Sequence, residues 1–265
     1  MEICVTGLSG AKVAESTGAD RIEVCAGLPL GGLTPGVGVV RSILAATDLP
    51  LIALIRPREG GFRYHADEIT SQLAEIEALR SLEVPRDGGA PRSVAGFAVG
   101  VLTTTGDLDR EALARLHACA PDREWCLHRA FDHVRDPMAS LETAIDLGFD
   151  RILTSGQAPS APEGIDRLAA LVDRAAGRIE IMPGGGIHAE NAVDLIARTE
   201  VSAVHLSGTG WAPESMTFRR EGISLGAGAA PDEARHLETS EDRLAAFFRA
   251  LNEPDSASTS PGNEE

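Results

Sequence analysis

Residues 20–36 read DRIEVCAGLPLGGLTPG, and the alternation in the first six decides how the chain is read. Ile22 and Val24 suit a buried strand, but Arg21, Glu23 and Cys25 alternate with them. Successive side chains on a strand point to opposite faces, so an arginine, a carboxylate and a thiol share one face. The strand then runs straight into a glycine-rich loop. Such a face must look into a place where charges find partners or a ligand, because charged side chains are almost never fully buried alone.

The same kind of segment recurs along the chain. Candidate strands are 2–6, 21–25, 50–56, 95–102, 124–130, 151–155, 178–183 and 203–207. Amphipathic stretches at 9–18, 37–47, 66–82, 109–119, 137–147, 162–175, 189–198 and 240–251 alternate with them. Asp109, Asp136-Pro137 and Pro162 are helix-start signals. Eight strands alternating with eight helices argue for one parallel α/β domain, and about 250 residues suits a closed (β/α)8 TIM barrel. The barrel is expected over 1–251, with a disordered acidic tail over 252–265. A doubly wound open sheet is the competing architecture. The loop at 84–93 follows a helix and precedes a strand, which puts it on the barrel's bottom face.

Bulk properties narrow the function classes. The 265 residues carry a formal net charge of −16, which argues against a nucleic-acid partner. No run of about 18 apolar residues suggests a membrane span. The N-terminal MEICVTGLSGAK lacks the basic and apolar segments of a secretion signal, so the cytoplasm is the expected compartment. The four cysteines show no CxxC spacing, and free thiols are expected there.

In a barrel, Glu2, Cys4, Arg21, Glu23, Cys25, His128, Glu180 and His205 all fall on the inward face. An ion-pair network low in the barrel, with Arg21 against Glu2 or Glu180, is one expectation. A functional site at the C-terminal strand ends, with Glu23, Cys25 and His128, is the other, because active sites of this fold form there. In the third strand's IRPRE, Arg56 and Arg58 could clamp an anion with two guanidinium forks, or simply pair with helix carboxylates. MPGGGI places Gly184, Gly185 and Gly186 after the seventh strand, and LSGTG places Ser207 after the eighth. Loops at these positions commonly hold phosphate. In LHRAFDHVRDP, His128 is the natural titrating group near neutral pH, and Asp132 could join it in acid–base work or act only as a loop cap. Cys4 and Cys25, on neighbouring strands with the same parity, could form a soft site preferring Cu(I) or Zn²⁺, or simply pack as small buried residues.

ADRIEVC…GGLTP, IRPR, FAVGVLT, HRAFD, DRILTSGQ, IMPGGGI and H-x-S occur in this order and closely resemble the CutC family of copper homeostasis proteins. The resemblance covers about residues 1–208. It implies a (β/α)8 barrel, a cytoplasmic location, self-association into a homo-oligomer, and a Cu(I) role for Cys4 and Cys25. It further implies a polar pocket of Glu23, Arg56, Arg58, His128, Arg129 and Asp132, with Ser155, Gly184, Gly185 and Ser207. The chain departs from the family pattern at Glu59 and Gly61, and again at Gly208 and Thr209. Two function classes stand: a Cu(I)-binding homeostasis protein, or an enzyme for a small phosphorylated or otherwise anionic metabolite. In the second, Glu23, His128 and Asp132 would be catalytic, and the arginines, Gly184–Gly186 and Ser207 would bind substrate.

Overall fold

The computed structural model describes all residues except 87, 214, 219, 221–234 and 253–265. Eight short strands carry the alternation read above: β1 (Glu2–Val5), β2 (Arg21–Val24), β3 (Leu51–Leu54), β4 (Gly96–Val99), β5 (Glu124–Leu127), β6 (Arg151–Thr154), β7 (Glu180–Pro183) and β8 (His205–Leu206). Helices α1 (Leu8–Thr17), α2 (Val37–Ala46), α3 (Ala66–Arg80), α4 (Arg110–Ala118), α5 (Pro137–Asp146), α6 (Ile165–Ala175) and α7 (Ala189–Thr199) connect them, and α8 (Glu241–Asn252) follows. Each strand pairs in parallel with the next, β1 pairs with β8, and a parallel bridge between Gly184 and His205 joins the last two. The sheet therefore nearly closes on itself as a (β/α)8 barrel, with β7 and β8 meeting at that isolated bridge.

Closure separates two apolar layers. Ile3, Val5, Ile22 and Val24 face outward into the continuous core beneath the helices. Cys4, Cys25, Ile52, Leu54, Ala98, Cys126, Leu153 and Met182 form a separate cluster inside the barrel. Helix starts follow from their caps: the Asp109 carboxylate accepts from the Ala112 N–H at 3.0 Å, and Asp136 accepts from Met138 and Ala139 ahead of Pro137.

The strands are shorter than the apolar runs that announced them, because residues just past each ladder, such as Arg56 and His128, leave the sheet to build the mouth. An antiparallel hairpin, β9 (Thr209–Pro213) with β10 (Arg235–Thr239), lies between β8 and α8 and was not expected. Its strands TGWAP and RHLET contain a proline and three charged or titratable residues, so period-two alternation does not reveal them. The 84–93 loop meets the expectation of a bottom-face position. Val84 bridges Arg92, and Arg92 donates to the Asp48 and Leu49 carbonyls just before β3. Of the expected tail, Asn252 ends α8 and 253–265 lie outside the described residues. Among the described residues no helix is long and apolar enough to cross a membrane.

Candidate functional site

Strand register makes the barrel floor. Glu2 sits beside Arg21 on one side and His205 on the other, and Arg151 sits beside Glu180. Arg21 Nε donates to Glu2 Oε2 at 2.5 Å, and its Nη2 lies 3.7 Å from Glu180 Oε2. Arg151 continues the chain of charge, with Nε 3.1 Å from Glu180 Oε2 and Nη2 2.7 Å from Glu124 Oε2. Arg21 thus meets both carboxylates weighed as partners. Burial alone would raise the Glu2 pKa, but the hydrogen bond and charge of His205, with Arg21, overcome it and lower it to about 2.

The thiols lie one layer above. Cys4 Sγ and Cys25 Sγ are in contact at 3.4 Å, both buried. One ligand atom each from Cys4, Glu23 and His205 all lie within 4.8 Å of one another. His205 Nδ1 is 2.7 Å from Glu2 Oε1, which leaves Nε2 on the side of Glu23, 3.8 Å from its Oε2. Burial pushes the Glu23 carboxyl up to about 6, despite the opposing charge of His205. The hydrogen bond with Cys25, burial and the nearby Glu23 all push the Cys4 thiol up. Burial works against a proton on His205, but its bond to Glu2 and the charge of Glu23 prevail and raise its pKa. The loop after β2 folds back through a bridge between Ala26 and Leu33. Gly32, at φ +85°, brings backbone close to Cys25, where a Cβ would lie 3.4 Å from the Cys25 Cβ.

Over this layer opens a cavity of about 730 Å³ at the C-terminal end of the strands. Cys4, Glu23, Cys25, Arg56, His128 and Arg129 line it, together with Gly185, Gly186 and Ser207. His128 is 4% exposed, and its Nδ1 accepts from the Ala130 N–H at 3.1 Å. The remaining ring nitrogen therefore carries the hydrogen, and Nε2 has no partner among the described residues. Burial, helped by the Arg56 charge, lowers the His128 pKa to about 3. This corrects the expectation of a group titrating near neutral pH: His128 is a neutral donor there.

Asp132 does not meet His128 either. Its carboxylate accepts from Thr154 Oγ1 at 2.5 Å, from the Ser155 and Gln157 N–H groups, and from Arg129 Nε at 2.7 Å. It is the cap that bolts the loop after β6, and its lone pairs are committed. Ser155 is fully buried behind Arg129, receiving its Nη2 at 3.0 Å. Arg56 reaches the cavity wall, but its guanidinium is bound by the Leu30, Gly32 and Gly60 carbonyls at 2.7–3.0 Å. Arg58 turns away to Glu68 at 2.5 Å and does not line the cavity. Gly184 continues the ladder by donating to Thr154, so of the three glycines only Gly185 and Gly186 face the opening.

Sequence reasoning placed His205 on the inner face without giving it a role, although the alternation in AVHLS was signal enough. Phe62 and Arg243, which also line the cavity, come from a loop and from α8, where no periodicity points inward.

Residues 1–210 match the CutC family. A family protein CutC from Vibrio campbellii is 39% identical over 254 residues, covering 95% of this chain and 98% of that protein. The human copper homeostasis protein cutC homolog is 39% identical over 233 residues, covering 88% of this chain and 82% of that protein. A solved CutC structure from Streptococcus agalactiae is 30% identical and superimposes with a TM-score of 0.71, covering 78% of this chain and 97% of that one.

Proposed function

The chain belongs to the CutC family, and on that premise we propose that it is a cytoplasmic copper homeostasis protein that binds Cu(I) through Cys4 and Cys25. The observation that carries this reading is the 3.4 Å contact between the two thiols at the base of an open cavity. Cu(I) is a soft ion that prefers thiolate, and two sulfurs already in contact need only small movements to share it. His205 supplies a third ligand. Its Nδ1 is held by the Glu2 carboxylate, and this leaves Nε2 as the free donor beside Cys4 and Glu23. A carboxylate behind a ligating histidine is the usual support in metal sites.

Binding must expel thiol protons, which the buried, hydrogen-bonded Cys4 holds firmly. Cu(I) affinity therefore rises with pH, by up to about tenfold per unit for each proton released. The test is an anaerobic competition titration of the reduced chain against a Cu(I) chelator. One equivalent is expected to bind, binding vanishes in the Cys4→Ser, Cys25→Ser double variant, and His205→Gln weakens it by about tenfold or more. Binding that ignores the double substitution would retire the copper reading.

A further inference from the structure

Copper chemistry at the thiols leaves the opposite chemistry of the same cavity, a set of hydrogen-bond donors, without a use. Arg129 is the first. Its Nε is taken by Asp132 and its Nη2 by Ser155, while Nη1 has no acceptor among the described residues. That nitrogen lies over Gly185, where a Cβ would stand 3.1 Å from it. Gly185 and Gly186 adopt φ of +100° and +74°, and the N–H groups of Gly186 and Ile187 have no protein acceptor among the described residues. Helix α7 begins two residues later, so the positive end of its dipole adds to these donors. The last donor is His128 Nε2–H, a buried atom on a side chain that is 4% exposed and lines the cavity, and it has no acceptor among the described residues. Leaving such a donor unmatched carries a desolvation cost unless a ligand meets it.

We propose that this part of the cavity binds a small phosphate monoester, independently of the Cu(I) reading. Arg129 Nη1 and the Gly186 and Ile187 N–H groups hold the phosphate, and His128 Nε2–H donates to an uncharged oxygen, a carbonyl or hydroxyl, on the carbon skeleton. The two donor types set the class. The cationic and main-chain donors suit an anion with several oxygens, whereas a neutral imidazole donates one hydrogen bond without adding charge. Asp132, fixed by the loop after β6, keeps the Arg129 guanidinium in place before the ligand arrives, which lowers the cost of binding. A volume of about 730 Å³ is ample for a ligand of this size.

The test is calorimetric titration of the full, reduced, metal-free chain with dihydroxyacetone phosphate and, separately, with inorganic phosphate. Both are expected to bind saturably. Gly186→Ala puts a Cβ 2.9 Å from Ser160 Cβ at a left-handed φ, and it weakens both probes by tenfold or more, as does Arg129→Gln. His128→Leu weakens dihydroxyacetone phosphate by about tenfold and leaves inorganic phosphate unchanged, and His128→Gln restores part of the loss. The Cys4→Ser, Cys25→Ser variant retains phosphate binding, so failure of the copper reading leaves this one standing. Absence of saturable binding for both probes, or affinities that ignore Gly186→Ala and Arg129→Gln in folded variants, would overturn the proposal.

Discussion

The floor and the mouth of this barrel are built from the same inward-facing strand positions, a residue or two apart, yet they treat polar groups in opposite ways. On the floor, Glu2, Arg21, Glu180, Arg151 and Glu124 face one another in alternating sign around the wall. At the mouth, the His128 Nε2–H and one nitrogen of Arg129 find no acceptor among the described residues, and two thiols touch only each other and their buried neighbours. The difference teaches how to separate a structural network from a site when both carry the same residue types. Charges that answer each other hold strands together. An unanswered donor points to a ligand only where it lines an open cavity: Arg151 Nη1 on the floor and Tyr64 Oη in the outer core are also without partners among the described residues, and neither residue lines the mouth.

Breaking the floor should cost the most. Glu2→Leu strips Arg21 and His205 of their shared carboxylate, and a buried charge left without its partner destabilises by about 3 kcal/mol. Urea unfolding measures this. A loss under about 1 kcal/mol would mean the network is ornamental to stability.

The mouth should announce itself through pH. Folded His128 has its pKa lowered to about 3, against 6.5 ordinarily, so between those values the unfolded chain takes up a proton that the folded protein refuses. The stability this confers is complete above about pH 6.5 and is lost as pH falls, at roughly 1.4 kcal/mol per unit. Glu2 works in the same direction below 4.5, while Glu23, raised to about 6, works in the opposite one between 6 and 4.5. Comparing unfolding at pH 7 and pH 5, His128→Gln should lose about 2 kcal/mol less than the parent. Equal losses would place the imidazole in a more polar setting than its burial implies.

The smallest effect belongs to Arg58→Gln. Its pair with Glu68 is partly exposed, so stability should change by no more than about 1 kcal/mol, and phosphate binding should not change at all. A loss of phosphate affinity would move Arg58 into the site.

Much of this was legible in the chain. The strand and helix order, the closed barrel and the split between Ile22 or Val24 outside and Glu23 or Cys25 inside follow from period-two alternation, which depends on local backbone geometry alone. That Cys4 and Cys25 share the inner face of neighbouring strands, and that Arg21 meets Glu2 or Glu180, also followed from parity, whereas the contact between the two thiols is seen only in the structure. The hairpin of β9 and β10 did not, since polar strands carry no apolar rhythm.

What parity cannot supply is the partner of each polar atom above the ladder. There the chain leaves the strands, and loops after different strands meet only when the barrel closes. Asp132 could be read as a partner of His128 or as a loop cap, and the structure decides for the cap, because the loop after β6 delivers Thr154, Ser155 and Gln157 to its carboxylate. Arg56 and Arg58 look equivalent in IRPRE, yet carbonyls claim the first and a helix carboxylate claims the second. His128 reads as a titrating residue until burial and the Ala130 N–H make it a neutral donor. The sequence by itself determined which residues look inward and at what height. Only the tertiary structure decided which of them are satisfied, because hydrogen bonding and desolvation depend on groups far apart in the chain that closure alone brings together.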